Sequence, residues 1–245
     1  MNISNTRHDT RDSNPHRIWK LLSEPPASGE YNMQRDRELL DEAIANPSLP
    51  ILRFYRFGEP TLTIGYHQRL TTMNEAEAAN ANIPIVRRPT GGRAILHWQE
   101  LTYSVIIPAT HPITKMSIAD SYGLLSSALL DGIRRMGIAA SFLPGDRGYI
   151  KSASCFASSS RYEIAIDGKK FIGSAQKRDS GALLQQGSIL TGPFYRNINT
   201  YTSKPATDKG TSIGEILGHA PMRITLERER TKGFENVLNA RFIPG

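Results

Sequence analysis

Only one cysteine, Cys155, stands among the 245 residues, so no disulfide can form within the chain. That suits a reducing compartment and removes the small disulfide-framed class. No second thiol is available for a paired-cysteine metal site, and the six histidines are scattered rather than set at ligand spacing. No apolar run approaches the roughly 20 residues that a membrane span needs. Residues 1–16 are polar and lack the apolar core of a secretory signal. Arg7, Arg11 and Arg17 suggest a transit peptide, but Asp9 and Asp12 argue against one. The expectation is a disordered leader over residues 1–16 and one domain over residues 17–245, in a cytoplasmic protein. Acidic groups are in deficit: 30 Lys and Arg against 23 Asp and Glu give a net charge of +7. Such a balance attracts acidic partners. The basic residues are dispersed and the aromatics lie along presumed core strands, so a nucleic-acid-binding surface is not expected.

What is present fits an ordinary globular domain, with 39% hydrophobic and 22% charged residues. Residues 32–46 read as a helix with Met33, Leu40 and Ile44 on one face. Residues 51–57 and 61–64 read as strands around Gly58-Glu59-Pro60, a hairpin-like signal. A short alanine-rich helix is predicted over residues 75–80. Ile118, Tyr122, Leu125, Leu129, Ile133 and Met136 recur at helical spacing, which predicts an amphipathic helix ending near Gly137. Residues 142–160, rich in serine, read as a loop. Tyr162, Ile164 and Ile166 alternate before Asp167-Gly168, which predicts a hairpin with Lys170 on the returning strand. Residues 183–190 read as a strand, and residues 226–238 as a helix weakened by Gly233. Strands and helices mix without regular alternation, so the expected class is α+β, with a mixed or antiparallel central sheet flanked by helices.

Three segments carry chemistry. The first is Arg87-Arg88-Pro89-Thr90-Gly91-Gly92-Arg93, followed by His97, between strands predicted at residues 83–86 and 101–107. Glycines let backbone N–H groups approach a ligand, and the arginines suit an anionic or carbonyl-bearing group. The same pattern also suits a plain turn with solvated arginines. The second runs from Cys155-Phe156 through Tyr162-Glu163 to Lys170, Gly173, Ser174, Ala175 and Gln176. A thiol near pKa 8.5 is mostly protonated at neutral pH, and a nearby ammonium group favours its thiolate. Lys169-Lys170 after Asp-Gly equally describes an exposed hairpin tip. The third is Gln186-Gly187-Ser188-Ile189-Leu190.

In this order, the three segments resemble the lipoate/biotin protein ligase and octanoyltransferase superfamily over roughly residues 30–220. The likeness is greatest to the cysteine-dependent octanoyltransferases, which share the Cys-Phe, Tyr-Glu and Lys-x-x-Gly-Ser-Ala-Gln steps. The resemblance implies the biotin/lipoate ligase catalytic fold and a Cys155 nucleophile. Lys170 would hold the acyl oxygen and depress the thiol pKa. Arg88, Thr90, Gly91, Gly92, Arg93, His97, Gly173, Ser174, Ala175, Gly187 and Ser188 would line the acyl site. It implies octanoate transfer from acyl carrier protein to a lysine of a lipoyl carrier domain, such as glycine cleavage H protein or a dehydrogenase E2 subunit, with no cofactor. Alternatives are an ATP-dependent lipoate–protein ligase and octanoyl transfer between two lipoyl carrier domains. Trp98 stands where the family often has aspartate and Gln186 where many members have histidine, so a mechanism requiring either group does not carry over.

Overall fold

A computed structural model describes residues 15–143, 162–204 and 210–245. In chain order the elements are β1 (Ile18–Ser23), α1 (Gly29–Ala45), β2 (Ile51–Tyr55), β3 (Thr61–Ile64), α2 (Glu75–Asn80), β4 (Ile85–Arg87), β5 (Ile95–His97) and β6 (Glu100–Ile107). There follow α3 (Ile118–Arg134), β7 (Ser141–Phe142), β8 (Ile164–Ile166), β9 (Lys169–Asp179), β10 (Ala182–Leu190), α4 (Ile213–Leu217), α5 (Arg223–Leu238) and β11 (Arg241–Pro244). Eight strands form one sheet in the order β11-β1-β2-β6-β10-β9-β8-β7, and β4-β3-β5 form a second. Pairings among β11, β1 and β2 are parallel, and those from β2 onward are antiparallel. The expected mixed sheet flanked by helices is what forms.

Strand periodicity decides what each face of the large sheet carries. Along β6, Leu101, Tyr103, Val105 and Ile107 point into a core with Leu125, Leu129 and Ile133 of α3 and Phe234 of α5. Ile106 points the other way, packing with Leu39, Leu40 and Ala43 of α1. Between Ile106 and the strand start, Ser104, Thr102 and Glu100 share that second face and are all buried. A buried polar stripe needs partners, and the functional site is built from them.

The periodic helix is α3, capped by the Ser117 side chain accepting from Asp120 N. α5 runs unbroken through Gly233. A Cβ there would sit 2.3 Å from Ala128 O and 2.6 Å from Gly132 N, so glycine lets α5 cross α3 backbone to backbone. Asp167 and Gly168 turn β8 into β9 with φ of 47° and 74°, the two-residue hairpin expected of Asp-Gly.

One expectation fails. β2 and β3 do not pair as a hairpin: β2 lies between β1 and β6, whereas β3 is the centre of the small sheet. Gly58-Glu59-Pro60 is a crossing between sheets, with Gly58 N donating to Ala27 O. The small sheet also contains β5, a three-residue strand antiparallel to β3, which was not expected from the sequence.

Candidate active site

The glycine loop runs from β4 to β5, and its own arginines hold it. Arg88 donates through Nη2 to Gly91 O at 2.8 Å and Arg93 O at 2.7 Å. Its Nη1 reaches Thr63 Oγ1 at 3.2 Å. Arg87 donates to the carbonyls of Gly65, Tyr66 and Gln68, each at 2.8 Å. A tight glycine loop leaves carbonyls without ladder partners, and a fixed guanidinium fork satisfies several at once. Gly92 has φ of 90°, a backbone that L side chains rarely adopt. Thr90 Oγ1 donates to Gln186 Oε1 at 2.7 Å, fastening the loop to β10.

Beneath the loop lies a narrow cavity of about 40 Å³. Arg88 and Gly92 border it from the loop, Met33 from α1, Tyr55 from β2, Ile95 and His97 from β5, and Thr102 from β6. β9 supplies Gly173, Ser174 and Ala175, and β10 supplies Gln186, Gly187 and Ser188. Of the described residues expected at the site, Thr90, Gly91, Arg93 and Lys170 are not on this wall. Gly187 is obligatory: a Cβ would meet the Tyr103 ring at 2.3 Å and Gly173 O at 2.9 Å. Its direct partner Ser174 turns its hydroxyl to Tyr103 OH at 2.7 Å, on the α3 side of the sheet. Burial pushes the Tyr103 phenol up to about 12, against the opposing hydrogen bonds of Ser174 and Gln185.

Two carboxylates that sequence reasoning missed organise the polar wall. Glu100 binds His97 Nδ1 at 2.5 Å and Thr102 Oγ1 at 2.6 Å, and also accepts from the Ser188 hydroxyl. His97 Nε2 lies 2.7 Å from Thr63 Oγ1, and the imidazole stacks on Phe57 with centroids 4.1 Å apart. Nδ1 thus faces Glu100 and Nε2 faces Thr63 Oγ1, which also accepts from Arg88 Nη1. Both ring nitrogens are then committed to protein groups, which leaves His97 as wall rather than base.

The second carboxylate, Asp36, accepts from Gln186 Nε2 at 2.5 Å, Tyr55 OH at 2.9 Å, Ser104 Oγ at 2.7 Å and Arg53 Nη1 at 2.8 Å. Burial alone would lower the Arg53 pKa, but Asp36, Tyr55 and Glu24 outweigh it and raise the value. Burial, then Asp36, hold the Tyr55 phenol well above its ordinary value.

Lys170 sits three residues before Gly173, about 10 Å along the strand. Its placement follows from a bulge. Ile164 pairs with Ile172 and Ala165 with Lys170, so Phe171 is an extra residue in β9. Both Phe171 and Ile172 enter the α3-side core. The bulge therefore returns Lys170 to the opposite side, the side of Gly173 and the cavity. Lys170 is 2% exposed, whereas Lys169 is exposed at the turn. Lys170 Nζ donates to Glu163 Oε1 at 2.5 Å. The backbone carbonyl of Glu163 accepts from Leu143 N at 2.8 Å, which ties together the chain on either side of residues 144–161. Cys155, the expected nucleophile, lies outside the described residues. Among those described, no three His, Cys, Asp or Glu groups converge as a metal site, and no helix is long and apolar enough to cross a membrane.

Comparison with known proteins matches residues 28–226 to the lipoyl protein ligase A/B catalytic domain. Proteins named octanoyltransferase LipM are similar over most of the chain. That of Kyrpidia tusciae is 35% identical, covering 93% of this chain and 89% of its own. That of Geobacillus kaustophilus is 38% identical, covering 91% and 87%. The Bacillus subtilis protein is 34% identical, covering 92% and 88%. Among solved structures, a bipartite lipoate protein ligase from Thermoplasma acidophilum superposes with a TM-score of 0.72 at 20% identity, covering 94% of this chain and 87% of its own. A lipoate-protein ligase A bound with ATP gives 0.70 at 22%, covering 93% and 87%. At such identities these structures establish a shared fold.

Proposed function

The chain belongs to the lipoyl protein ligase A/B catalytic domain family, and from that we propose that it is an octanoyltransferase of lipoate biosynthesis, working through a Cys155 thioester. The observation that carries the activity is the extent of the match: relatives named octanoyltransferase align over 91–93% of this chain. The cavity supports it. Gly173 and Gly187 border a narrow slot between the sheet and the glycine loop, and an eight-carbon chain needs a dry site of that kind.

In the proposed reaction the Cys155 thiolate attacks the thioester carbonyl of octanoyl acyl carrier protein. The carrier's sulfur leaves and takes a proton, and an octanoyl thioester remains on Cys155. The ε-amine of a lysine on a lipoyl carrier domain then attacks, the Cys155 sulfur leaves with the proton the nitrogen gives up, and an amide forms. The first exchange is near balance and the second runs downhill, so the donor carries all the activation required. Lys170 has two roles: it favours the thiolate over the thiol, and it faces the oxygen on which charge builds in each addition. Arg88 and Gly92 roof the acyl chain, while His97, Ser188 and Gln186 hold its polar wall rigid.

An ATP-dependent lipoate ligase is the competing reading. Such an enzyme needs cations for the phosphate of an acyl-adenylate, whereas Arg87 and Arg88 engage backbone carbonyls. Intact mass after mixing with octanoyl acyl carrier protein, without ATP, separates the two. The expected result is one octanoyl group on the protein, labile to hydroxylamine and absent from Cys155→Ala. Replacing the donor with an octanoylated lipoyl domain tests carrier-to-carrier transfer. A strict ATP requirement with free acid as donor would overturn the transferase reading.

A further inference from the structure

Resting on that reading of Lys170, we propose that Glu163 is the positioning residue of the transfer reaction. It holds the lysine ammonium at one point on the cavity side of the sheet. Three observations lead there. First, the pair is closed: the Lys170 side chain is 2% exposed and that of Glu163 6%, with Nζ and Oε1 2.5 Å apart. A buried ammonium is costly without a counter-charge, so a partner of opposite sign is required at this depth.

Second, Glu163 immediately precedes β8, whose three residues are all apolar. Ile164 and Ile166 enter the α3-side core, and a carboxylate beside them has no packing role there. Alternation places Glu163 and Ala165 on the face opposite those isoleucines. Ala165 is the ladder partner of Lys170, which makes Glu163 the diagonal neighbour within reach of a long side chain.

Third, the backbone around the pair is fixed. The Phe171 bulge sets the direction of Lys170. Thr211 N donates to Lys170 O at 2.9 Å where β10 has ended, and Leu143 N donates to Glu163 O at 2.8 Å. A lysine has four rotatable side-chain bonds. A charge-assisted hydrogen bond from a rigid strand removes most of that freedom. Glu163 touches no reacting atom on this account; it acts through Lys170.

A double-mutant cycle on the full chain tests this, with octanoyl acyl carrier protein as donor and a lipoyl domain as acceptor. Glu163→Gln keeps the volume and removes the charge. It should lower kcat by up to about 100-fold, the cost of a displacement of about 1 Å in a catalytic group, with KM for the donor nearly unchanged. On a Lys170→Gln background the same substitution should change kcat less than about twofold, because the residue it acts through is gone. If Glu163→Gln unfolds below the assay temperature, Glu163→Asp replaces it. That variant keeps the charge, shortens the reach by one methylene, and should show the same loss and the same dependence on Lys170. A parental kcat in these variants, or an equal loss with and without Lys170, overturns the positioning role. Parental activity in Lys170→Gln alone sinks the assignment of the lysine itself, a different failure.

Discussion

Thr90 and Gln186 are joined by a 2.7 Å hydrogen bond across 96 positions of sequence. The bond runs from the glycine loop of the small sheet to the middle of the large one. On its other side Gln186 donates to Asp36, which also accepts from Arg53 and Tyr55. One amide thus links the loop over the cavity to a buried charge pair under it. Glutamine suits the place because it donates and accepts at once.

Gln186→Leu should therefore leave Thr90 without its acceptor and Asp36 short of a donor. Stability should fall by about 1–3 kcal/mol, the cost of buried polar groups left unpaired. With the loop less firmly held, KM for the octanoyl donor should rise. Denaturant unfolding and steady-state kinetics read the two effects. Unchanged stability would show that the amide is replaceable there.

Gly233→Ala should destabilise the chain by about 1–3 kcal/mol or more, as overpacking does. The added methyl meets backbone, 2.3 Å from Ala128 O, and neither helix can move aside cheaply. The contrast is Gly137→Ala, where nothing lies within 4 Å and only the φ of 77° is unfavourable. Thermal midpoints should fall much further for Gly233→Ala.

Features set by neighbours in sequence were legible. The spacing from Ile118 to Met136 predicts α3, and Asp167-Gly168 predicts the β8–β9 turn, because local geometry decides both. Features set by distant partners were not. Asp36 lies in the run Gln34-Arg35-Asp36-Arg37-Glu38 and reads as one more solvated charge; only Arg53, Tyr55, Ser104 and Gln186, brought from three strands, make it a buried hub. Alternation from Ser174 back through Ile172 would turn Lys170 into the α3 core. The bulge that prevents this belongs to the register between β8 and β9. β5 is three residues long, too short for periodicity to show. Arg88, expected to meet a ligand, is held by carbonyls that only the folded loop creates. The carboxylates had one readable signal: Glu163 lies beside an alternating apolar strand, where charge is rare without a partner.

Below neutral pH the chain should lose stability through His111. Burial lowers its pKa; the His16 carbonyl works the other way, and the His16 charge adds to the lowering. The unfolded chain then binds a proton at this position more readily than the folded one. Stability thus falls as pH drops through the ordinary histidine value and is restored as pH rises above it. His111→Gln should flatten that part of the profile. Urea unfolding at about pH 7.5 and about pH 5.5, either side of the ordinary histidine value, checks it. A parental slope in the variant would assign the acid sensitivity elsewhere.

Lys169 and Lys170 are adjacent in sequence and opposite in environment, one exposed at the turn and the other 2% exposed against Glu163. Lys169→Ala should change stability by no more than about 0.5 kcal/mol, as surface substitutions usually do. Lys170→Ala removes one partner of a buried ion pair, which costs about 3–5 kcal/mol. It should also abolish most transfer. The stability loss alone would not establish a catalytic role, so Lys170→Arg is the more searching variant. It keeps a positive charge for Glu163 and so should retain most of the stability. It replaces a compact ammonium with a planar fork that is wider and differently directed. If Lys170 serves only as a charge near Cys155, the arginine variant should have a parental alkylation profile against pH and a parental transfer rate. If Lys170 also meets the acyl oxygen, the alkylation profile should stay parental while transfer slows by about 10-fold or more, since removing one preorganised donor to such an oxygen costs on the order of 100-fold. The second result is expected, because Glu163 and the Phe171 bulge fix a position shaped for one ammonium. Full activity in Lys170→Arg would remove the oxygen contact from the mechanism and leave the lysine with its electrostatic role alone.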